Sequence, residues 1–153
     1  MKTPLYINAN GKLMDLSEPQ VMGILNVTPD SFYAGSRGVT NGYILDRCQQ
    51  ILDEGASIID IGAYSSRPGA AEVSEAEEME RLRNGLELIR QHHPEAIVSV
   101  DTFRADVARM CVEEYGVAIV NDISAGNMDD RMFSTIVRLG VPYIIMHMKG
   151  TPQ

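Results

Sequence analysis

Apolar residues recur along the chain at two alternating spacings. Short runs rich in Val and Ile, namely Val21 to Leu25, Ser57 to Ile61, Ala96 to Val100, Ala118 to Val120 and Val141 to Met146, alternate with stretches whose apolar positions return every three or four residues. The short runs predict strands of a parallel sheet covered on both faces, because such strands lose the polar alternation of a half-exposed strand. The stretches between them predict amphipathic helices, with stripes at Ile44-Cys48-Ile51-Leu52, Met79-Leu82-Leu86-Ile89, Val107-Cys111-Tyr115 and Met132-Ile136-Leu139. Ser74 followed three residues later by Glu77 is a capping-box pair that starts the second helix. Gly55, Gly116 and Gly140 stand where helices are expected to end. Ahead of the first strand, Leu5 to Asn8 and Lys12 to Leu16 flank Asn10-Gly11, a tight-turn signal. Residues 1–20 therefore predict an N-terminal hairpin, serving as a lid or plug. The order after it is βαβαβαβαβ with right-handed crossovers, an α/β fold in a single domain over residues 1–153.

Each predicted strand runs into a polar residue: Asn26, Asp60, Asp101, Asn121 with Asp122, and His147. In parallel α/β folds these carboxyl ends converge on one face, where ligands bind in barrels and open sheets alike. Asp and Asn at such places also cap helices, so each residue alone has a structural explanation. Their recurrence at every strand favours a site. The first two βα units are longer than the later ones, and the extra length lies in the loops Asn26 to Val39 and Ala63 to Val73. Neither loop holds a GxGxxG or GxxxxGK[ST] pattern, which disfavours dinucleotide and P-loop sites.

Charge narrows the partners. With 13 Lys+Arg against 21 Asp+Glu, the net charge of −8 excludes a broad basic surface for a nucleic-acid backbone and leaves room only for a local cationic pocket. No apolar run approaches the ~20 residues that cross a bilayer, and the first residues lack a secretory pattern, so the expected location is cytoplasmic and away from membranes. Cys48 and Cys111 are far apart in helical segments, as packed thiols would be. The acidic run Glu72 to Glu80 reads as a solvated first helical turn favoured by the helix dipole.

Four residues invite chemistry. Asn26 offers a neutral carbonyl oxygen suited to a hard cation such as Mg²⁺ that also bridges a substrate phosphate; its structural alternative is a turn residue. Arg67, within Ser65-Ser66-Arg67-Pro68-Gly69, puts a fork of donors on a loop stiffened by proline and fits an oxyanion, or is a surface charge. Asp101 ends the apolar run Val98-Ser99-Val100 and can accept from a ring N–H or amino group, while Asn121 can donate and accept along a heterocycle edge. Both have helix capping as their alternative.

These residues fall in recognisable motifs. Gly23-Ile24-Leu25-Asn26-Val27-Thr28-Pro29-Asp30-Ser31-Phe32 closely resembles the first signature of the dihydropteroate synthase family. Ile59-Asp60-Ile61-Gly62 followed by Ser65-Ser66-Arg67-Pro68-Gly69 resembles the second, and Ser99-Val100-Asp101-Thr102, Val120-Asn121-Asp122 and Met146-His147 resemble the next three strand ends, in order. The resemblance implies a (β/α)8 TIM barrel, represented here by about its first five βα units after the hairpin. It implies a Mg²⁺-dependent transferase of folate biosynthesis, a sulfonamide target, that joins 4-aminobenzoate to 6-hydroxymethyl-7,8-dihydropterin diphosphate, yields 7,8-dihydropteroate and releases diphosphate. It further implies a homodimer when complete. On the matching positions, Asn26 would bind Mg²⁺, Ser66 would contact the substrates, and Asp101 and Asn121 would hold the pterin. Arg67, Phe32 and Pro68 would lie in the two loops that assemble the aminobenzoate site, with Arg67 and Asp101 as the catalytic pair, and Asp122 and Met146 would line the pterin pocket.

The chain departs from the family pattern at Tyr64, where glutamate is usual, at Ala63, where glycine is common, and in Tyr33-Ala34-Gly35-Ser36 after Phe32. Five strands also do not close an eight-stranded barrel of ~250 residues. The family's later pterin-binding Asp and Lys and its diphosphate-binding Arg and His have no counterpart before Gln153. The expectation is about half an active site, inactive as an isolated fragment. Two other readings compete: a pterin-binding methyltetrahydrofolate methyltransferase, and a non-catalytic binding module built as a half-barrel or a five-stranded doubly wound sheet.

Overall fold

The computed structural model describes residues 5–28, 37–65, 70–147 and 149. Its elements are β1 (Tyr6–Ala9), β2 (Lys12–Asp15), β3 (Met22–Asn26), α1 (Arg37–Asp53), β4 (Ile58–Gly62), α2 (Glu75–His92), β5 (Val98–Asp101), α3 (Ala105–Tyr115), β6 (Ile119–Asp122), α4 (Met132–Leu139) and β7 (Tyr143–Ile145). Strands β3 to β7 form one parallel sheet in sequential order, β3-β4-β5-β6-β7. Sequential order decides between the readings of the α/β pattern. A doubly wound sheet reverses its strand order at a switch point, whereas a barrel adds each strand beside the last. The sheet never reverses, so the doubly wound alternative is excluded and the partial (β/α)8 barrel stands.

Local sequence accounts for the boundaries. Ser74 caps α2 in the extended conformation, its hydroxyl accepting from Glu77 N at 3.2 Å. Gly116 and Gly140 end α3 and α4 at φ +65°, a left-handed conformation that costs any residue with a Cβ. Strand β7 is shorter than its apolar run. Pro142 has no N–H to add to the ladder, although its carbonyl still accepts from Val120 N at 3.1 Å.

The main core lies between the sheet and the helices. Leu25, Ile59, Ile61, Val98, Val100 and Val120 meet Ile44, Ile51, Leu82, Leu86, Ile89, Val107 and Met132 there, each large side chain worth about 1.5–3 kcal/mol of burial. Cys48 and Cys111 are both free and buried in this layer, and burial pushes the Cys48 thiol up to about 11, so it packs as a small apolar group. Gly23 is fixed by packing: a Cβ there would stand 2.3 Å from Ile51 Cγ2, so β3 approaches α1 only without a side chain.

The hairpin β1-β2 settles at the opposite end of the strands from the polar residues. Ala9 and Met14 pack on Ile58, Ala118 and Ile119, with Met22 and Ile97 beside them, and these residues lie at or near the strand starts. Asn10 donates from Nδ2 to Gly116 O at 3.3 Å. The hairpin thus packs against the amino-terminal ends of the strands. A pocket of about 270 Å³ beside it is lined by Arg90 and Gly116. Arg90 spends its guanidinium there on four carbonyls, Tyr115, Ala96, Gly116 and Pro94, tying α2 to the C-terminus of α3. Among the described residues no helix is long and apolar enough to cross a membrane.

Candidate active site

On the sheet face turned away from the helices, the parallel register arranges side chains in rows. One row runs Ile24, Asp60, Ser99, Ile119. The next, at the carboxyl ends of the strands, runs Asn26, Gly62, Asp101, Asn121, Ile144. Partners in a parallel ladder project to the same side, so the register alone places Asn26, Asp101 and Asn121 in one line. Gly62 keeps that line open: a Cβ would lie 3.4 Å from Asp101 Cβ, and anything larger would cover the carboxylate.

Asp60 organises the row from beneath. It is 5% exposed, accepts from Ser99 Oγ at 2.5 Å and accepts from Asn121 Nδ2 at 3.2 Å. Burial raises its pKa against the pull of these two donors. Asp101 is half-buried and accepts at Oδ1 from the Tyr64 hydroxyl at 3.0 Å. Burial first, then the Asp60 carboxylate, push Asp101 up to about 7. Burial and the neighbouring Asp101 charge together push the Tyr64 phenol up, so it keeps its proton and acts as the donor.

Asp122 is placed differently from the rest. It is fully buried and accepts from Ser124 N, Ser124 Oγ, Gly126 N and Tyr143 OH at 2.8, 2.8, 2.9 and 2.6 Å. Four acceptances use the lone pairs of a carboxylate. Its geometry shapes the loop after β6 instead of presenting a free oxygen to a ligand. Met146 lies just beyond β7, exposed, its N–H 3.4 Å from Asp122 O. Asn26 is exposed, and its Oδ1 accepts from Thr28 N at 2.8 Å and from the Thr28 hydroxyl. Phe32, Ser66, Arg67 and Pro68 lie outside the described residues.

Both ends of the β4–α2 loop are held. Arg81 Nη1 donates to Ala63 O at 3.3 Å, and Arg104 Nη2 donates to Val73 O at 2.7 Å. Arg104 also pairs with Glu78 at 2.7 Å, and Thr102 Oγ1 donates to the other Glu78 oxygen at 2.8 Å. Glu78 is 0% exposed, which corrects the expectation that the whole acidic run is a solvated turn. Its neighbours Glu77 and Glu80 are exposed, as that expectation has it. The sequence reading places Asp60 at a strand end without giving it a role, and notes Tyr64 only as a departure from the family pattern. Asp60 carried a usable signal, a carboxylate flanked by isoleucines in a strand buried on both faces.

The fold and the row together define part of a parallel α/β barrel, with five strands whose carboxyl ends carry polar side chains. Residues 22–153 match the family model described as pterin binding enzyme, and the chain belongs to that family. It is 43% identical over 149 residues to dihydropteroate synthase of Haemophilus influenzae, covering 97% of this chain and 53% of that protein. Among solved structures it matches the Yersinia pestis dihydropteroate synthase in a sulfonamide drug complex at TM-score 0.81 and 39% identity, covering 97% of this chain and 53% of that one. It also matches Xanthomonas albilineans dihydropteroate synthase with 4-aminobenzoic acid at TM-score 0.84 and 34% identity, with the same coverages. The chain thus spans about half the length of these relatives.

Proposed function

We propose that this chain supplies the pterin-holding half of a dihydropteroate synthase active site. The observation that carries the proposal is the row of Asp101 and Asn121 set on Asp60, an acceptor and an amide fixed side by side on the sheet face turned away from the helices. A pterin presents a ring N–H and an amino group along one edge, and a carboxylate flanked by an amide complements that edge. The likeness to dihydropteroate synthases, one of them solved with 4-aminobenzoic acid, supports this reading.

In the reaction, the bond between the exocyclic methylene carbon and the diphosphate oxygen breaks, and its electron pair leaves with diphosphate. The 4-aminobenzoate nitrogen donates its lone pair to that carbon and then loses a proton. The cation that develops on the pterin is stabilised by the ionised Asp101 lying against the heterocycle, and Asn121 keeps the ring in register. Arg67 is assigned to the anionic groups of the substrates by its loop motif.

The donor set at Asn26 is one amide oxygen, and no group of three or more His, Cys, Asp or Glu residues stands ready for a metal among the described residues. That set suits Mg²⁺, which takes few protein ligands and completes its shell from substrate phosphate and water. Asn26 would hold it once Thr28 turns its hydroxyl away, and when bound the ion offsets charge on the departing diphosphate. From the same resemblance we take a cytoplasmic enzyme that is a homodimer when complete.

The test is calorimetric titration of the chain with 6-hydroxymethyl-7,8-dihydropterin diphosphate, with and without Mg²⁺. Binding is expected, and it is expected to be lost in Asp101→Ala and in Asn121→Ala. Equal affinity in both variants would remove the row from the site and the proposal with it.

A further inference from the structure

We propose that Tyr64 is a positioning residue for the heterocycle: its hydroxyl ties down one oxygen of Asp101 and leaves the other turned to the ligand. The ligand in this proposal rests on the pterin-holding role argued above, while the geometry stands without it.

Tyr64 is the only donor to the Asp101 carboxylate among the described residues, at 3.0 Å from Oδ1. Its ring is itself held. Phe103 meets it edge-on with centroids 5.3 Å apart at 79°, and the Arg104 guanidinium lies 4.7 Å over the Phe103 ring. Arg104 is anchored in turn by buried Glu78 and by Val73 O. The hydroxyl therefore reaches Asp101 from a chain of contacts that begins on α2, and the plane of the carboxylate is set before any ligand arrives.

The charges around Asp101 show why a neutral donor is needed. The charges of Asp60 on β4, Glu78 on α2 and Asp122 on β6 all act on it, and each of these acids disfavours its ionised form. Tyr64, from the segment after β4, is the group that opposes them. A carboxylate at this position would add another negative charge to the same pocket. A phenol instead donates a hydrogen bond and leaves the pocket's charge unchanged, so Asp101 can act as an oriented acceptor near neutral pH.

The experiment is Tyr64→Phe in the full chain, which keeps the ring against Phe103 and removes only the oxygen. Two readouts are taken: the titration of the Asp101 carboxyl carbon by NMR without ligand, and the affinity for 6-hydroxymethyl-7,8-dihydropterin diphosphate as a function of pH. The expected result is an Asp101 midpoint moved to higher pH, with pterin affinity weakened about ten-fold near neutral pH. That loss should narrow at pH values above both midpoints, and thermal stability should stay close to that of the parent. An unmoved midpoint overturns the proposal, as does unchanged or tighter pterin binding, which would make the hydroxyl a bystander or a competitor for Asp101. If the parent chain showed no pterin affinity while the Asp101 midpoint still shifted in the variant, the pterin-holding role would fall and Tyr64 would remain the group that keeps Asp101 ionised.

Discussion

Asn121 gives its side-chain N–H to Asp60 across the intervening strand β5, at 3.2 Å. Because Nδ2 is committed there, the amide is oriented and Oδ1 is left as the acceptor for a ligand, so the buried carboxylate decides which way the amide faces. Asp60→Asn tests this. The new side chain can still accept from Ser99, but its amide nitrogen would face that of Asn121 and force the latter to rotate. Pterin affinity is expected to fall by a factor of about 5–30, equivalent to about 1–2 kcal/mol, with little change in thermal stability because a buried charge is removed at the same time. Calorimetry and thermal melting on one preparation check both halves, and full affinity in this variant would show that the orientation of Asn121 does not matter.

Asp101 trades stability for function. Its pKa stands at about 7 in the folded chain against a reference of 3.8, so between those values the native state holds more protons than the unfolded state. Stability accordingly falls as pH rises from about 4 to 7 and is level above that. Asp101→Asn removes the ionisation while keeping an oxygen for Tyr64. The variant is expected to exceed the parent by roughly 1–3 kcal/mol at pH 8 and to match it near pH 4, yet to bind no pterin. Urea unfolding at the two pH values measures the first claim. A variant less stable than the parent at pH 8 would mean that the carboxylate is not strained in the fold.

Much of this arrangement was legible in the sequence because it follows from local periodicity. Short runs of Val and Ile specify strands, helical stripes specify the crossovers, and a polar residue at each strand end marks the candidate ligand face. Register then does the rest, since the row from Asn26 through Asp101 to Asn121 needs only that the strands be parallel and adjacent. What was not legible depends on contacts between distant segments. The Asn10-Gly11 turn announces a hairpin but carries nothing about where Ala9 and Met14 will pack. Glu78 is chemically indistinguishable from the exposed Glu77 beside it. Only the helix phase, which turns Glu78 toward Thr102 and Arg104, separates a buried ion from a solvated one.

That buried ion pair yields a separable test. Glu78 is fully enclosed and its pKa is raised by burial, against the pull of Thr102 and Arg104. Arg104→Ala would leave the carboxylate buried without its cation, an arrangement that typically costs about 3–5 kcal/mol when one partner of a buried pair is deleted. With Arg104 gone the Glu78 pKa moves further up, so the variant takes up a proton at Glu78 as pH falls, and the native state then holds more protons than the unfolded one. The deficit relative to the parent should therefore be largest at alkaline pH and shrink as the pH falls through the raised Glu78 midpoint. Urea unfolding across that range reads it directly. A deficit that did not change with pH would assign the loss to the missing bond from Arg104 to Val73 O and to the Phe103 stack, with no contribution from the stranded charge.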